Sequence, residues 1–149
     1  VHSIYATLFP ATASEFVRTA FGWTVRCFAG GHPDYLPIDA RYHDLEHTLQ
    51  GALCLARLMR GLHTAGDAAA PTVRAFELGI VAILFHDSGY LKVRSDTEGT
   101  GAKYTAVHVG RSATFAATFL APKGFTMVEV RAVQNMINCT GISTDSVGI

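Results

Sequence analysis

The most apolar segment of the chain spans residues 76–85 and reads Phe76-Glu77-Leu78-Gly79-Ile80-Val81-Ala82-Ile83-Leu84-Phe85. It is apolar on almost every side, which predicts a helix buried in the middle of the fold. A buried strand would also account for a run rich in Ile and Val. Because the neighbouring segments have helical periods, and because Thr72 directly after Pro71 can cap a helix, we interpret the segment as helical.

The segments on either side also have the pattern of helices separated by breakers. The predicted helices begin near Thr12 or Ser14, Asp39, Thr72, Ala106 and Met127. They end near Phe28, Leu62, Gly89, Leu120 and Cys139. The second of them, residues 39–62, has apolar residues on two faces, which predicts a central position. We therefore expect an all-α fold, a single domain of residues 1–149 built as a bundle of about five or more helices.

The composition excludes several classes of protein. The 149 residues include twelve basic and twelve acidic side chains, and 49% are hydrophobic. Zero net charge disfavours binding to a nucleic acid polymer, and the apolar content excludes intrinsic disorder. We expect a cytoplasmic protein without membrane association, because no signal peptide opens the chain and no apolar run approaches the roughly 20 residues that cross a bilayer. The low charged fraction, 16%, is compatible with a homo-oligomer that covers apolar surface.

Side chains suited to metal binding and acid–base chemistry collect in two short segments. His43 and His47 are four residues apart, so on a helix they would share one face. His86 and Asp87 directly follow the apolar segment, where a carboxylate is costly unless it is paired or bound to a cation. Taken singly, such residues are usually hydrogen-bonded structural groups. Together they offer nitrogen and oxygen ligands that suit Mn, Fe, Mg, Zn or Co and leave coordination positions for water.

These residues resemble the HD superfamily of metal-dependent phosphohydrolases, over residues 40–140. Residues 42–47, YHDLEH, are similar to the Tyr-His-Asn-x-x-His signature of cyclic-nucleotide phosphodiesterases and their small bacterial relatives. The resemblance continues through residues 85–90 and the helix that begins near His108. It implies an all-helical, HD-domain-like fold whose side chains converge on one or two divalent metal ions.

The resemblance also implies roles for individual residues. His47, His86 and Asp87 would be metal ligands, and His43 would protonate the leaving oxygen. Asp44 replaces the Asn of the signature and joins His43 as a candidate catalytic residue.

Two further ligands are less well matched by the family pattern. Some two-metal HD proteins place a histidine in the region of His108 near the second metal or the substrate. Family members usually complete the metal set with a later Asp, and Asp145 is the sole Asp after residue 109. Either Asp145 stands in for that ligand, or the ligand is lost or lies beyond a truncated C terminus.

The polar stretch of residues 94–105, after His86-Asp87, is a candidate substrate-binding loop, and Arg111 follows on the next predicted helix. Its glycines would let backbone N–H groups approach a phosphate, and its cations would add charge. The candidates are Glu98, which could also act as a base, Thr100, Lys103, Tyr104 and Arg111. An ordinary solvated loop is the alternative reading.

The sequence thus predicts a metal-dependent phosphohydrolase that cleaves a phosphate ester of a nucleotide or a related small molecule. The alternative is a non-catalytic HD-like module that binds a nucleotide or a partner through a degenerate metal site. A purely structural bundle would leave Asp87 unpaired beside an apolar helix.

Overall fold

The apolar segment predicted to be central does lie at the centre of the bundle. The computed structural model describes residues 1–13 and 15–141, and within them the chain forms six α-helices and no β-strand. They are α1 His2–Leu8, α2 Glu15–Phe28, α3 Leu45–Thr64, α4 Val73–Phe85, α5 His108–Leu120 and α6 Met127–Asn138. Helix α4 packs against α2, α3, α5 and α6, and Phe76, Ile80, Leu84 and Phe85 are fully buried. The prediction of an all-α single-domain bundle is confirmed.

Several helix boundaries follow the capping residues. Thr72 accepts a hydrogen bond from the Ala75 N–H and begins α4, as predicted. Thr126 and Glu129 form a reciprocal capping box at the start of α6. Short 3₁₀ helices, Ser88–Tyr90, Gly101–Tyr104 and Ala121–Lys123, occupy the connections around α5.

The predicted start of α3 and its predicted central position were wrong. Residues 39–44 are not helical, because the Asp44 carboxylate accepts a hydrogen bond from the His47 N–H and caps the helix at that point. Consequently His43 precedes the helix and does not share a helical face with His47. The outer face of α3 is open, since Leu58 is 63% exposed.

Two smaller differences concern a helix that was not predicted and the end of α4. Helix α1 was not predicted, and its seven residues are held by burial of Tyr5 against α4. Helix α4 ends at Phe85, so residues 86 and 87 lie at its end and a separate 3₁₀ helix follows. Ser14, one of two predicted caps of α2, lies outside the described residues.

In the described part of the chain, none of the helices has both the length and the apolar character needed to cross a bilayer.

Candidate metal centre

The turn after α4 brings Asp87 into the interior of the bundle. Gly89 in this turn lies against α5 so closely that a Cβ would stand 2.0 Å from the His108 carbonyl oxygen. The Ser112 hydroxyl accepts a hydrogen bond from the Gly89 N–H at 2.8 Å. The turn is therefore fixed to α5, and the Asp87 side chain is only 2% exposed.

Four histidines surround this buried carboxylate. Asp87 Oδ2 lies 2.9 Å from Nδ1 of His43, 3.2 Å from Nε2 of His86 and 3.5 Å from Nε2 of His47. On the other side of the carboxylate, Oδ1 lies 3.9 Å from Nε2 of His108. The His residues come from the segment before α3, the first turn of α3, the end of α4 and the start of α5. We call these five residues the Asp87 cluster.

Backbone carbonyl groups orient two of the four imidazole rings. Nδ1 of His86 lies 2.7 Å from the Ile83 carbonyl oxygen, and Nδ1 of His108 lies 2.6 Å from that of Thr105. A carbonyl can only accept, so each Nδ1 carries a proton and each Nε2 is directed at Asp87. Histidines that bind metals are commonly held in this way through the ring nitrogen that does not bind the ion.

Charges within the cluster stabilise one another. Burial by itself would raise the pKa of Asp87, but hydrogen bonds and charge from His86 and then His43 outweigh it, and the pKa is lowered. Burial likewise disfavours the protonated form of His86, yet the Asp87 carboxylate and the Ile83 carbonyl outweigh it and raise its pKa. Asp87 is therefore an ionised carboxylate to which the Nδ1–H of His43 donates.

The cluster contains a group of ligand atoms with the spacing of a metal site. One atom each from His43, His47 and Asp87 lie within 4.8 Å of one another, so these three residues could hold a metal ion. The side chains of His43 and His47 are 30% and 29% exposed, so this side of the cluster is open to solvent. Two imidazoles and a carboxylate fit a divalent transition metal.

The ligands implied by the family resemblance overlap with this group but differ in one member. His47 and Asp87 belong to both sets, whereas the resemblance adds His86 and the spacing adds His43. The predicted ligand His108 also lies beside Asp87. Asp145 lies outside the described residues.

Two tyrosines not predicted as part of the cluster contact its rings. Tyr90 is buried and stacks on His43 and His108, with ring centroids 4.3 and 4.6 Å apart, and its hydroxyl lies 3.3 Å from Nε2 of His43. Tyr42 is exposed and lies 4.7 Å from the His47 ring. The sequence did give one signal for these tyrosines, which is their position. Tyr42 lies within residues 42–47 and Tyr90 within residues 85–90, the two segments that contain the predicted ligands.

The structure gives Asp44 and the candidate substrate loop other contacts. Asp44 caps α3. The Asp96 carboxylate accepts hydrogen bonds from both Lys103 and Tyr104. Arg111 donates to two carbonyl oxygens, of Gly89 at 2.8 Å and of Leu91 at 2.9 Å.

The two other candidates in that loop, Glu98 and Thr100, are exposed. The Glu98 carbonyl accepts a hydrogen bond from Lys103. Within the described residues, no hydrogen bond or ion pair connects Glu98, Thr100, Lys103, Tyr104 or Arg111 to the Asp87 cluster.

Comparison with protein-family models, with curated proteins and with solved structures found no match for this chain.

Proposed function

We propose that the chain is a metal-dependent phosphohydrolase that cleaves a phosphate ester of a nucleotide or a related small molecule. The observation that carries the proposal is the position of Asp87. A carboxylate that is 2% exposed has three imidazole nitrogens within 3.5 Å of one oxygen, on a side that is open to solvent. The resemblance of residues 42–47 and 85–90 to HD phosphohydrolases supports the reaction class.

The residues of the cluster would divide the work between binding and proton transfer. A divalent metal bound at His47, Asp87 and either His43 or His86 supplies Lewis acidity toward water and a phosphoryl oxygen. Asp87 fixes the His43 ring through Nδ1, which leaves Nε2 as the nitrogen that can deliver a proton to the leaving oxygen. The hydroxyl of Tyr90, 3.3 Å from that nitrogen, would hold the ring when no substrate is bound.

Metal content is the first test of this proposal. Protein purified without chelator and dialysed separately against Mn²⁺, Fe²⁺ and Zn²⁺ should retain metal in elemental analysis. The Asp87→Asn variant should lose the metal, whereas Asp96→Asn, which removes a carboxylate outside the cluster, should retain it. Absence of metal from the wild-type chain under all three conditions would refute the proposal.

Hydrolysis is the second test. With the retained metal, the wild-type chain should cleave 4-nitrophenyl phosphate or bis(4-nitrophenyl) phosphate. Asp87→Asn should reduce the rate at least about a hundredfold, because a bound metal contributes several kcal/mol to the stabilisation of charge in such transition states.

The roles of His43 and His86 can be separated by the same two measurements. If His43 is the proton donor, His43→Ala keeps the metal and loses hydrolysis, whereas His86→Ala loses both. If His43 is a ligand in place of His86, His43→Ala loses the metal and His86→Ala retains it. Circular dichroism spectra of both variants would show that the fold is intact.

A non-catalytic binding module is the second candidate. It is favoured by the contacts of Lys103 and Arg111, because both cations are bonded to protein groups and not directed at the cluster. Full metal occupancy without hydrolysis of either ester would support this candidate over the enzyme.

A further inference from the structure

A cavity borders the turn that follows Asp87. This cavity has a volume of about 980 Å³, and its lining residues include members of α2 and α5, residues 31–35, and Ser88 and Gly89 of the turn. The five residues of the Asp87 cluster are not among its lining residues. The cavity therefore adjoins the candidate metal centre through Ser88 and Val107 without including its five residues.

Aromatic rings form much of the cavity wall. Phe115 and Phe119 stack with centroids 5.7 Å apart, and Trp23 meets Phe119 edge-on at 5.9 Å. The centroid of the His32 ring lies 5.0 Å from that of Tyr35 and 5.8 Å from that of Phe115. Such a set of rings offers faces and edges to a planar apolar ligand.

Positive charge exceeds negative charge around these rings. Arg26, Arg111 and Lys123 line the cavity, and among the described residues that line it Asp34 is the one carboxylate. The Lys123 ammonium lies 3.6 Å from the Phe119 ring centroid and 5.6 Å from that of Trp23, so a cation is held at the aromatic wall. Burial raises the pKa of the lining residue Cys27 to about 11, against the charges of Lys123 and Arg26, so its thiol stays neutral.

We propose that this cavity binds a small organic anion with a planar aromatic body. Its volume is within the range of small-molecule sites, which are about 300–1,000 Å³. The rings would stack on the ligand body, and Lys123 together with Arg26 would attract its carboxylate, sulfonate or phosphate group. This site does not depend on the metal or on the proposed hydrolysis.

The chain's single tryptophan makes the proposal directly measurable. Trp23 lines the cavity, so 1-anilinonaphthalene-8-sulfonate bound there should quench Trp23 emission by energy transfer. We expect one probe per chain. Lys123→Gln should weaken binding about three- to tenfold, and N-phenyl-1-naphthylamine, which lacks the sulfonate, should bind the wild-type chain more weakly by a similar factor.

Filling the cavity is an independent test. Gly110 lines the cavity on α5, and no described neighbouring atom lies within 4 Å of the position that its Cβ would occupy. Gly110→Phe should therefore weaken binding more than tenfold, while Gly110→Ala, the matched small substitution, should bind as the wild type does. Leu58→Ser, on the exposed face of α3, should leave binding unchanged.

Four results would overturn the proposal. They are bound probe without quenching of Trp23, equal binding of the neutral analogue, unchanged binding to both Gly110→Phe and Lys123→Gln, and loss of binding in Leu58→Ser. Sedimentation velocity would identify a different occupant. If wild-type chains associate, and if Gly110→Phe alone dissociates them, the cavity holds a second copy of the chain instead.

Discussion

Tyr42 has a backbone conformation that an aromatic residue adopts at a cost. Within the described residues it is the sole non-glycine residue with a positive φ, 73°, and it is 73% exposed. The left-handed region costs an L-residue about 1–2 kcal/mol, because Cβ approaches the backbone carbonyl. Here the turn directs His43 toward Asp87 and places Asp44 at the cap of α3. Strain is thus located beside the candidate metal centre, as is common at functional sites.

This strain predicts an unusual order of stabilities at position 42. Tyr42→Gly should be more stable than Tyr42→Ala by about 1 kcal/mol, because glycine adopts a positive φ without steric cost. The free energy of unfolding in urea measures the difference. At Arg41, which is exposed and does not have a positive φ, Ala should be at least as stable as Gly. If the Ala variant is at least as stable as the Gly variant at position 42 as well, Tyr42 is unstrained.

At the level of elements, the contact between the turn at residues 88–90 and α5 holds the cluster together. Gly89 meets backbone atoms of His108 and Ser112, which cannot move aside as a flexible side chain could. Gly89→Ala should lower the free energy of unfolding by about 1–3 kcal/mol, as overpacking of a well-packed contact does.

Gly110→Ala, on the same helix but with open space at its Cβ, should instead raise the free energy of unfolding by about 0.5–1 kcal/mol. Thermal unfolding of the two variants, followed at the α-helical circular dichroism band, compares them directly. If Gly89→Ala is as stable as Gly110→Ala, the turn is not fixed to α5 by this contact.

Capping residues and apolar periodicity account for the elements that were predicted from the sequence. Thr72 and the apolar run placed α4 at the centre, because capping and burial are both local signals. The start of α3 was misplaced because Asp44, and not Asp39, caps the helix, and because the turn at Tyr42 before it has a positive φ that residue type does not signal. Helix α1 was missed because seven residues are stabilised by a distant contact, the hydrogen bond of Tyr5 with Glu77, and not by their own pattern.

Part of the His/Asp group at the candidate metal centre could be predicted from the sequence, whereas the contacts made by Lys103 and Arg111 could not. His86 and Asp87 are adjacent to the buried helix, so the position of α4 alone fixes them. Lys103 pairs instead with Asp96, a residue seven positions away, and Arg111 bonds to the carbonyls of Gly89 and Leu91. Which of several acceptors a cation contacts depends on the tertiary fold, and residue type does not determine it.

Across the whole molecule, a chain of polar contacts joins α1, α4 and α6. Tyr5 of α1 donates a hydrogen bond to Glu77 of α4 at 2.8 Å, and Arg74 pairs with Glu77 at 3.0 Å and with Glu129 of α6 at 2.6 Å. The Arg74 guanidinium also lies 5.2 Å from the Phe16 ring centroid and 5.1 Å from that of Phe125. Arg74 therefore connects α2, α4 and α6 near the end of the bundle.

This connection predicts how the molecule responds to acid. The hydrogen bond from Arg74, and then those from Thr126, lower the pKa of Glu129 from an ordinary 4.5 to about 2. A lowered pKa in the folded state means that the stabilisation is complete above pH 4.5 and is lost as the pH falls toward 2. Glu129→Gln should therefore melt below the wild type at pH 7, and the difference should shrink steadily between pH 5 and pH 2.

The Arg74→Gln variant separates the ion pair from the cap of α6. In that background, Glu129→Gln should cost less at pH 7, and its remaining cost should depend less on pH, because the largest contribution to the lowered pKa has been removed. The measurement is the melting temperature of four proteins at pH 7, 5, 4 and 3. They are the wild type, Arg74→Gln, Glu129→Gln and the double variant, which together form a double-mutant cycle. A Glu129→Gln effect that is constant with pH in the wild-type background would mean that the carboxylate contributes through its hydrogen bonds alone, and not through its charge.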